Sequence, residues 1–136
     1  MRVSDTVKQL FSTRERTNIL ATTGADGKVN VAAFGSPALA GDDRISMLLG
    51  NNRTWANLNH NPHGAFLIIM NGSTGMGMQG CRVYVKAVQM TDSGTEFDAR
   101  KHEIRGRIGG AADMLKHLVA FEVLEMRPIL DLGQGV

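Results

Sequence analysis

RISMLLGNNRTWANLNHNP, running from Arg44 to Pro62, is the stretch on which the reading of this chain turns. An apolar run, Ile45 to Leu49, reads as the end of a strand and breaks at Gly50. Two asparagines then precede Arg53 and Thr54, and a short helical stretch follows. Asn61-Pro62 stops it, because proline disfavours helical backbone at the residue before it. Asn52 has the chemistry of an N-cap, since its side-chain oxygen can accept an orphan N–H of the first turn. A strand that feeds a helix N-terminus bearing an arginine and a hydroxyl outlines an anion site. The open N–H groups and the helix dipole favour negative charge, and Arg53 adds a charge-assisted contact. The stretch reads as a phosphate clamp, against the plainer alternative of a solvated helix start.

Working outward, strand signals dominate on both sides. Ser4 can cap a short helix with Val7, Leu10 and Phe11 on one face. Thr17–Thr23 and Lys28–Phe34 flank Gly24-Ala25-Asp26-Gly27, whose Asp-Gly predicts a hairpin turn. In the second run Val29, Val31 and Ala33 share one face and Asn30, Ala32 and Phe34 the other. Ala65–Met70 is continuously apolar, which suits a strand buried on both faces. Arg82–Val88 alternates with Val83, Val85 and Ala87 inward, and Leu118–Met126 is a last strand. Thr95–Arg105 reads as a helix with Phe97 and Ile104 on one side, and residues 111–117 add a turn or two. The tail from Gly133 to Val136 is expected to fray. About six strands joined by hairpins, with helices inserted late, predict a mainly β, antiparallel barrel occupying residues 1–136 as one domain.

Composition narrows the function. Aromatic residues make up only 5% of the 136 residues, so Met, Leu, Ile and Val must fill the core. A net charge of +2, with no basic block and no interleaved aromatics, does not point to nucleic acid. The single cysteine, Cys81, excludes a disulfide or thiolate metal cluster within one chain. No stretch reads as a signal peptide or a membrane span, so a cytoplasmic protein is expected.

In order and spacing, ILATTGADGKVNVAAF, DRISMLLGNNRTWANLNHNPHGAFLII and GCRVYVKAVQ resemble the FMN-binding split barrels related to pyridoxamine 5'-phosphate oxidase, in particular their small single-domain members. The resemblance covers roughly residues 5–130. It implies a six-stranded antiparallel split barrel, a homodimer, and FMN in a groove between subunits. It implies that Arg53 and Thr54 hold the phosphate, with Asn52 at the cap. Asn30, Val31 and Ala32 would edge the isoalloxazine, Met47, Leu48, Leu49 and Gly50 would line the ring and ribityl chain, and Arg82 would reach the cofactor from a later strand. Two departures stand out. The Gly50–Asn52 connection looks shorter than in many relatives. The chain also ends RPILDLGQGV, without the arginine-rich substrate motif of true pyridoxamine phosphate oxidases, so that activity is not expected.

Other features are weighed against plainer readings. Asn30 is an unusual strand residue, either an outward polar group or a hydrogen-bonding group for a ring edge. Gly75-Met76-Gly77-Met78-Gln79-Gly80 spells GxGxxG, but strand-like residues follow it where a dinucleotide site needs a helix. It reads as a loop, or as a cover over the groove. His60, His63, His102 and His117 lack metal spacing, Cys81 reads as an inert thiol, and Trp55 as a packing anchor. Glu96, Asp98 and Glu103 form a solvated helix face. No nucleophile–base arrangement assembles, which fits a cofactor carrying the chemistry. Two alternatives remain: a deazaflavin-dependent or flavin reductase enzyme using the same groove, or a dimeric ligand-binding module without catalysis. An unknown redox partner or small-molecule substrate is implied for the FMN reading and for the deazaflavin or reductase alternative.

Overall fold

A computed structural model describes residues 1–133; the expectation for the tail beyond Gly133 falls outside them. The chain runs α1 (Asp5–Ser12), β1 (Arg16–Thr23), β2 (Val29–Phe34), β3 (Ala38–Leu39), β4 (Arg44–Leu49), α2 (Arg53–His60), β5 (His63–Met70), β6 (Gly80–Thr91), α3 (Thr95–Ile108) and β7 (His117–Pro128). Short 3-10 turns occupy Gly75–Gly77 and Gly109–Met114. Seven strands form one antiparallel sheet in the order β2-β1-β5-β6-β7-β4-β3. The strand beyond the expected six is the two-residue β3, too short to show in a pattern of alternation.

The topology forces curvature. β2 and β3 are the two edges of the sheet, yet only Gly35, Ser36 and Pro37 join them. The sheet must therefore curl until its edges meet, leaving a seam. Ser36 closes that seam: its Oγ accepts from the Leu48 N–H at 3.0 Å and donates to the Leu48 carbonyl at 3.1 Å, doing the work of a ladder pair. Bulges at Tyr84/Val85 and Ala87/Gln89 help the long β6–β7 pair bend.

Inside the curl lie Leu20, Ile45, Met47, Leu49, Phe66, Ile68, Val83, Val85, Val119, Phe121 and Val123. Phe66 and Phe121 meet edge to face at 5.5 Å. α1 packs Val7 and Leu10 into this core, and Ser4 caps it by accepting the Val7 N–H. On the outside of β4, Leu48 packs with Leu118 beneath Phe97 and Ile104 of α3. β5 departs from expectation: Phe66 and Ile68 are buried, whereas Leu67 and Ile69 are only half-buried. A single curled layer buries one face of a strand and leaves the other partly open.

Candidate functional site

The turn from β4 into α2 forms as expected. Asn52 is extended, and its Oδ1 accepts the Trp55 N–H at 2.8 Å. The Ala56 N–H goes to the Asn52 carbonyl, the Asn52 N–H goes to Gly50, and Asn61 closes the helix by donating to Asn57. Among the described residues, the N–H groups of Arg53 and Thr54 have no protein acceptor. The exposed Arg53 guanidinium likewise has neither ion pair nor hydrogen bond within the described part. An open helix start and an unpaired cation therefore sit side by side.

They border a cavity of about 530 Å³ lined by the β1–β2 turn (Gly24, Ala25, Asp26, Lys28), Val29, and Arg53, Ala56, Asn57 and His60 of α2. Lys28 lies 3.9 Å from Asp26, an exposed pair too weak to remove its charge from the site. Gly27, at φ +77°, supplies the left-handed residue that ends this turn.

Two polar ties fix α2 on the sheet. Thr22 and Asn30 face each other across β1 and β2. The Asn57 amide donates to Thr22 Oγ1 at 3.1 Å, and the Asn30 amide donates to Thr54 Oγ1 at 3.3 Å. Thr54 and Asn57 are one turn apart, so the helix sets two buried polar side chains onto one cross-strand pair. This is what the unusual strand asparagine does: it docks the helix.

The expected binding residues thus divide. Asn30, Asn52, Arg53 and Thr54 come together. Thr54, however, is 1% exposed and turned to Asn30, so Arg53 and the backbone N–H groups are the donors left open. Ala32 is half-buried on the Asn30 face, and Val31 points away at 63% exposure. Met47 and Leu49 are fully buried inside the barrel and present no surface to a ligand, whereas Leu48 faces the opposite side, under α3. The reason is the period-2 pleat, which puts alternate residues of β4 on opposite faces. Gly50 is half-exposed beside the Met114 carbonyl, which an added Cβ would approach to 2.8 Å. Arg82 is not at the clamp. Its Nε donates to the Pro128 carbonyl at 2.8 Å and its guanidinium pairs with Asp131 at 3.5 Å. The Gly75–Gly80 loop joins the end of β5 remote from α2, so within one chain it does not cover the clamp.

Sequence reasoning missed His117. Its ring stacks on Trp55 with centroids 3.6 Å apart and planes 4° from parallel. Nδ1 lies 2.6 Å from Asp92 Oδ1 and Nε2 lies 2.6 Å from Asn51 Oδ1. The imidazole therefore ties the loop before the clamp to the first turn of α2 and to the β6–α3 turn. Asn51 and Asp92 stand 66 and 25 residues away in sequence, and no local pattern announces such a meeting. His60, exposed as expected, also lines the clamp cavity. No group of His, Cys, Asp or Glu among the described residues can hold a metal ion. Cys81 is buried, and burial pushes its thiol up to about 11. No helix of the described residues is long and apolar enough to cross a membrane.

An antiparallel sheet curled to a seam, with a capped helix leaving one strand, is the split-barrel fold of the FMN-binding and pyridoxamine 5'-phosphate oxidase-like proteins. An FMN-binding protein from Syntrophomonas wolfei subsp. wolfei is similar over 94% of this chain and 86% of its own, with TM-score 0.81 and 24% identity. An F420 reductase matches 91% of this chain and 98% of its own, at TM-score 0.71 and 17% identity. HutZ, a heme storage protein from Vibrio cholerae, matches 93% and 94%, at TM-score 0.64 and 20% identity. No family model and no curated protein matches the chain. At these identities the likeness is one of fold, and the three neighbours are named for three different groups.

Proposed function

We propose that the protein binds FMN as a homodimer and serves flavin-dependent electron or hydride transfer. One observation carries this reading: the unpaired Arg53 beside two open N–H groups at the capped start of α2, on a cavity that Lys28 also lines. That donor set suits a phosphate monoester, whose oxygens accept from backbone N–H and guanidinium together. Bound FMN would supply the redox chemistry. Arg53 and the helix start would hold its phosphate, and β2 together with Gly50 would border its ring. His117 would hold Asn51 and Trp55 in place. The homodimer is supported by β2, an edge strand with Val29 71% and Val31 63% exposed.

A charge-assisted hydrogen bond contributes about 1.5–3 kcal/mol. Arg53→Ala should therefore weaken FMN binding roughly 10- to 100-fold in a fluorescence-quenching titration. An unchanged dissociation constant would remove the clamp from the argument. The same titration with a deazaflavin phosphate, followed by anaerobic reduction with different donors, separates the FMN reading from a deazaflavin enzyme. A purified dimer that ignores both cofactors would favour a non-catalytic ligand-binding module.

A further inference from the structure

The seam of the barrel holds a second cavity, of about 280 Å³, between the β2–β3 turn and α3. Its walls are apolar: Ala33 and Phe34 of β2, Leu48 of β4, Ile104 and Ile108 of α3, and Leu115. Arg107 also lines it, and among the described residues that guanidinium has no ion pair or hydrogen bond. Two more arginines hold the turn behind it. Arg16 donates to the Pro37 carbonyl at 2.7 Å, and Arg100 donates to the Ser36 carbonyl at 2.5 Å. Of the three, only Arg100 has a carboxylate partner among the described residues, Glu103 at 3.5 Å. Arg16 spends its donors on neutral groups: the Phe11, Thr13 and Pro37 carbonyls and Asn18. Burial, and then repulsion from Arg107, lower its pKa. The seam thus carries an excess of positive charge beside an apolar hollow. The buried Arg100 Nε, which lacks a partner, adds an unused donor to the same arginine group.

We propose that the seam cavity binds a small aromatic acid, its anionic head on Arg107 and its ring body among Phe34, Leu48, Ile104 and Leu115. Size limits the class. Ligand pockets span about 300–1,000 Å³, and this one, at about 280 Å³, falls just below that range, suiting one or two fused rings rather than a nucleotide or a fatty acyl chain. Charge favours an acid over a neutral hydrocarbon, because an anionic head can pair with the Arg107 guanidinium. Position suggests the role. Leu115 also lines the hollow formed with Gly50, Asn51 and Asn52. An acid in the seam would then lie next to the clamp and serve as the substrate of its cofactor. The binding site does not depend on FMN; the substrate role alone rests on the function proposed above.

The test uses 8-anilinonaphthalene-1-sulfonate, an anionic probe whose fused naphthalene carries the sulfonate and an anilino ring, on the full chain with and without saturating FMN. Saturable, blue-shifted emission is expected in both conditions. Arg107→Gln should weaken binding at least tenfold and Arg107→Lys by less than threefold. The neutral analogue N-phenyl-1-naphthylamine should bind at least tenfold more weakly than the sulfonate. Methyl NMR should place the probe by shifts at Leu48, Ile104, Ile108 and Leu115. Binding that is indifferent to Arg107→Gln, or shifts confined to Val29 and Val31, would overturn the proposal. So would displacement of the probe by FMN, which would give the cavity to the cofactor itself. A failure to bind FMN with the probe still held at Arg107 would sink the flavin reading and leave this site standing.

Discussion

Removing the His117 ring tests how the clamp is held. His117 is 8% exposed, stacked face to face on Trp55 at 3.6 Å, and bonded at both nitrogens at 2.6 Å. His117→Ala deletes an aromatic contact worth about 0.5–1.5 kcal/mol beyond its area. The bond to Asn51 adds about 1 kcal/mol. The bond to Asp92, whose side chain is 70% exposed, adds less than about 1 kcal/mol because water screens it. With the vacancy left beside Trp55, the loss should total about 2–4 kcal/mol. For a chain of this length that corresponds to a fall in Tm on the order of 10 °C. Trp55 is the only tryptophan, so its emission should also change when the ring stacked on it is removed. FMN affinity should fall as well, because Asn51 and the first turn of α2 lose their common brace. Differential scanning calorimetry with intrinsic fluorescence measures the first two quantities. A Tm within about 3 °C of the wild type, with unchanged emission, would show that the stack does not exist in solution.

Other consequences are more local. Asn57→Ala leaves the Thr22 hydroxyl buried without its partner and should cost about 1–3 kcal/mol by urea denaturation, with Thr22→Val partly restoring it. At Gly80 an added Cβ would come within 1.9 Å of the Ile68 carbonyl, so Gly80→Ala should abolish soluble folded protein, as circular dichroism of the purified fraction would show. Cys81, raised from 9.0 to about 11, should react with a disulfide reagent at pH 8 at least ~100-fold more slowly in the folded chain than in guanidinium. The sign follows from burial: the folded state favours the protonated thiol, so this contribution to stability is complete below pH 9.0 and is lost as pH rises toward about 11.

What the sequence disclosed about this fold was local. Ser4 and Asn52 cap the helices assigned to them, because a cap is a contract between residues three apart. Val83, Val85 and Ala87 face inward as their alternation demands. The site was legible only as far as Arg53 and its helix. Parity along β4 separates Met47 and Leu49 from Leu48, but which set meets the core depends on strands far along the chain. Arg82, which the resemblance aims at a cofactor, is held instead by the Pro128 carbonyl and Asp131, partners distant in sequence. His117, spaced for no metal, gains its role only when Asn51, Trp55 and Asp92 arrive from three other segments.

β2 shows how the fold and the candidate site constrain each other. A strand with valines on one face and an asparagine on the other would ordinarily turn the valines inward. Here Asn30 faces α2 and the valines face water, because the space beneath α2 requires a donor for Thr54 that no valine can supply. A one-residue slip would bury both valines, but it would break the Asn30–Thr54 tie and part Asn30 from Thr22. The inverted strand therefore leaves apolar surface whose covering would contribute about 1 kcal/mol for each valine. In the proposed dimer that surface is removed from water. Replacing Val29 and Val31 together by threonine should then shift the dimer to monomer in size-exclusion chromatography with light scattering, while the Asn30–Thr54 tie keeps each subunit folded. If the double variant stayed dimeric with undiminished affinity, β2 would not be the covered edge.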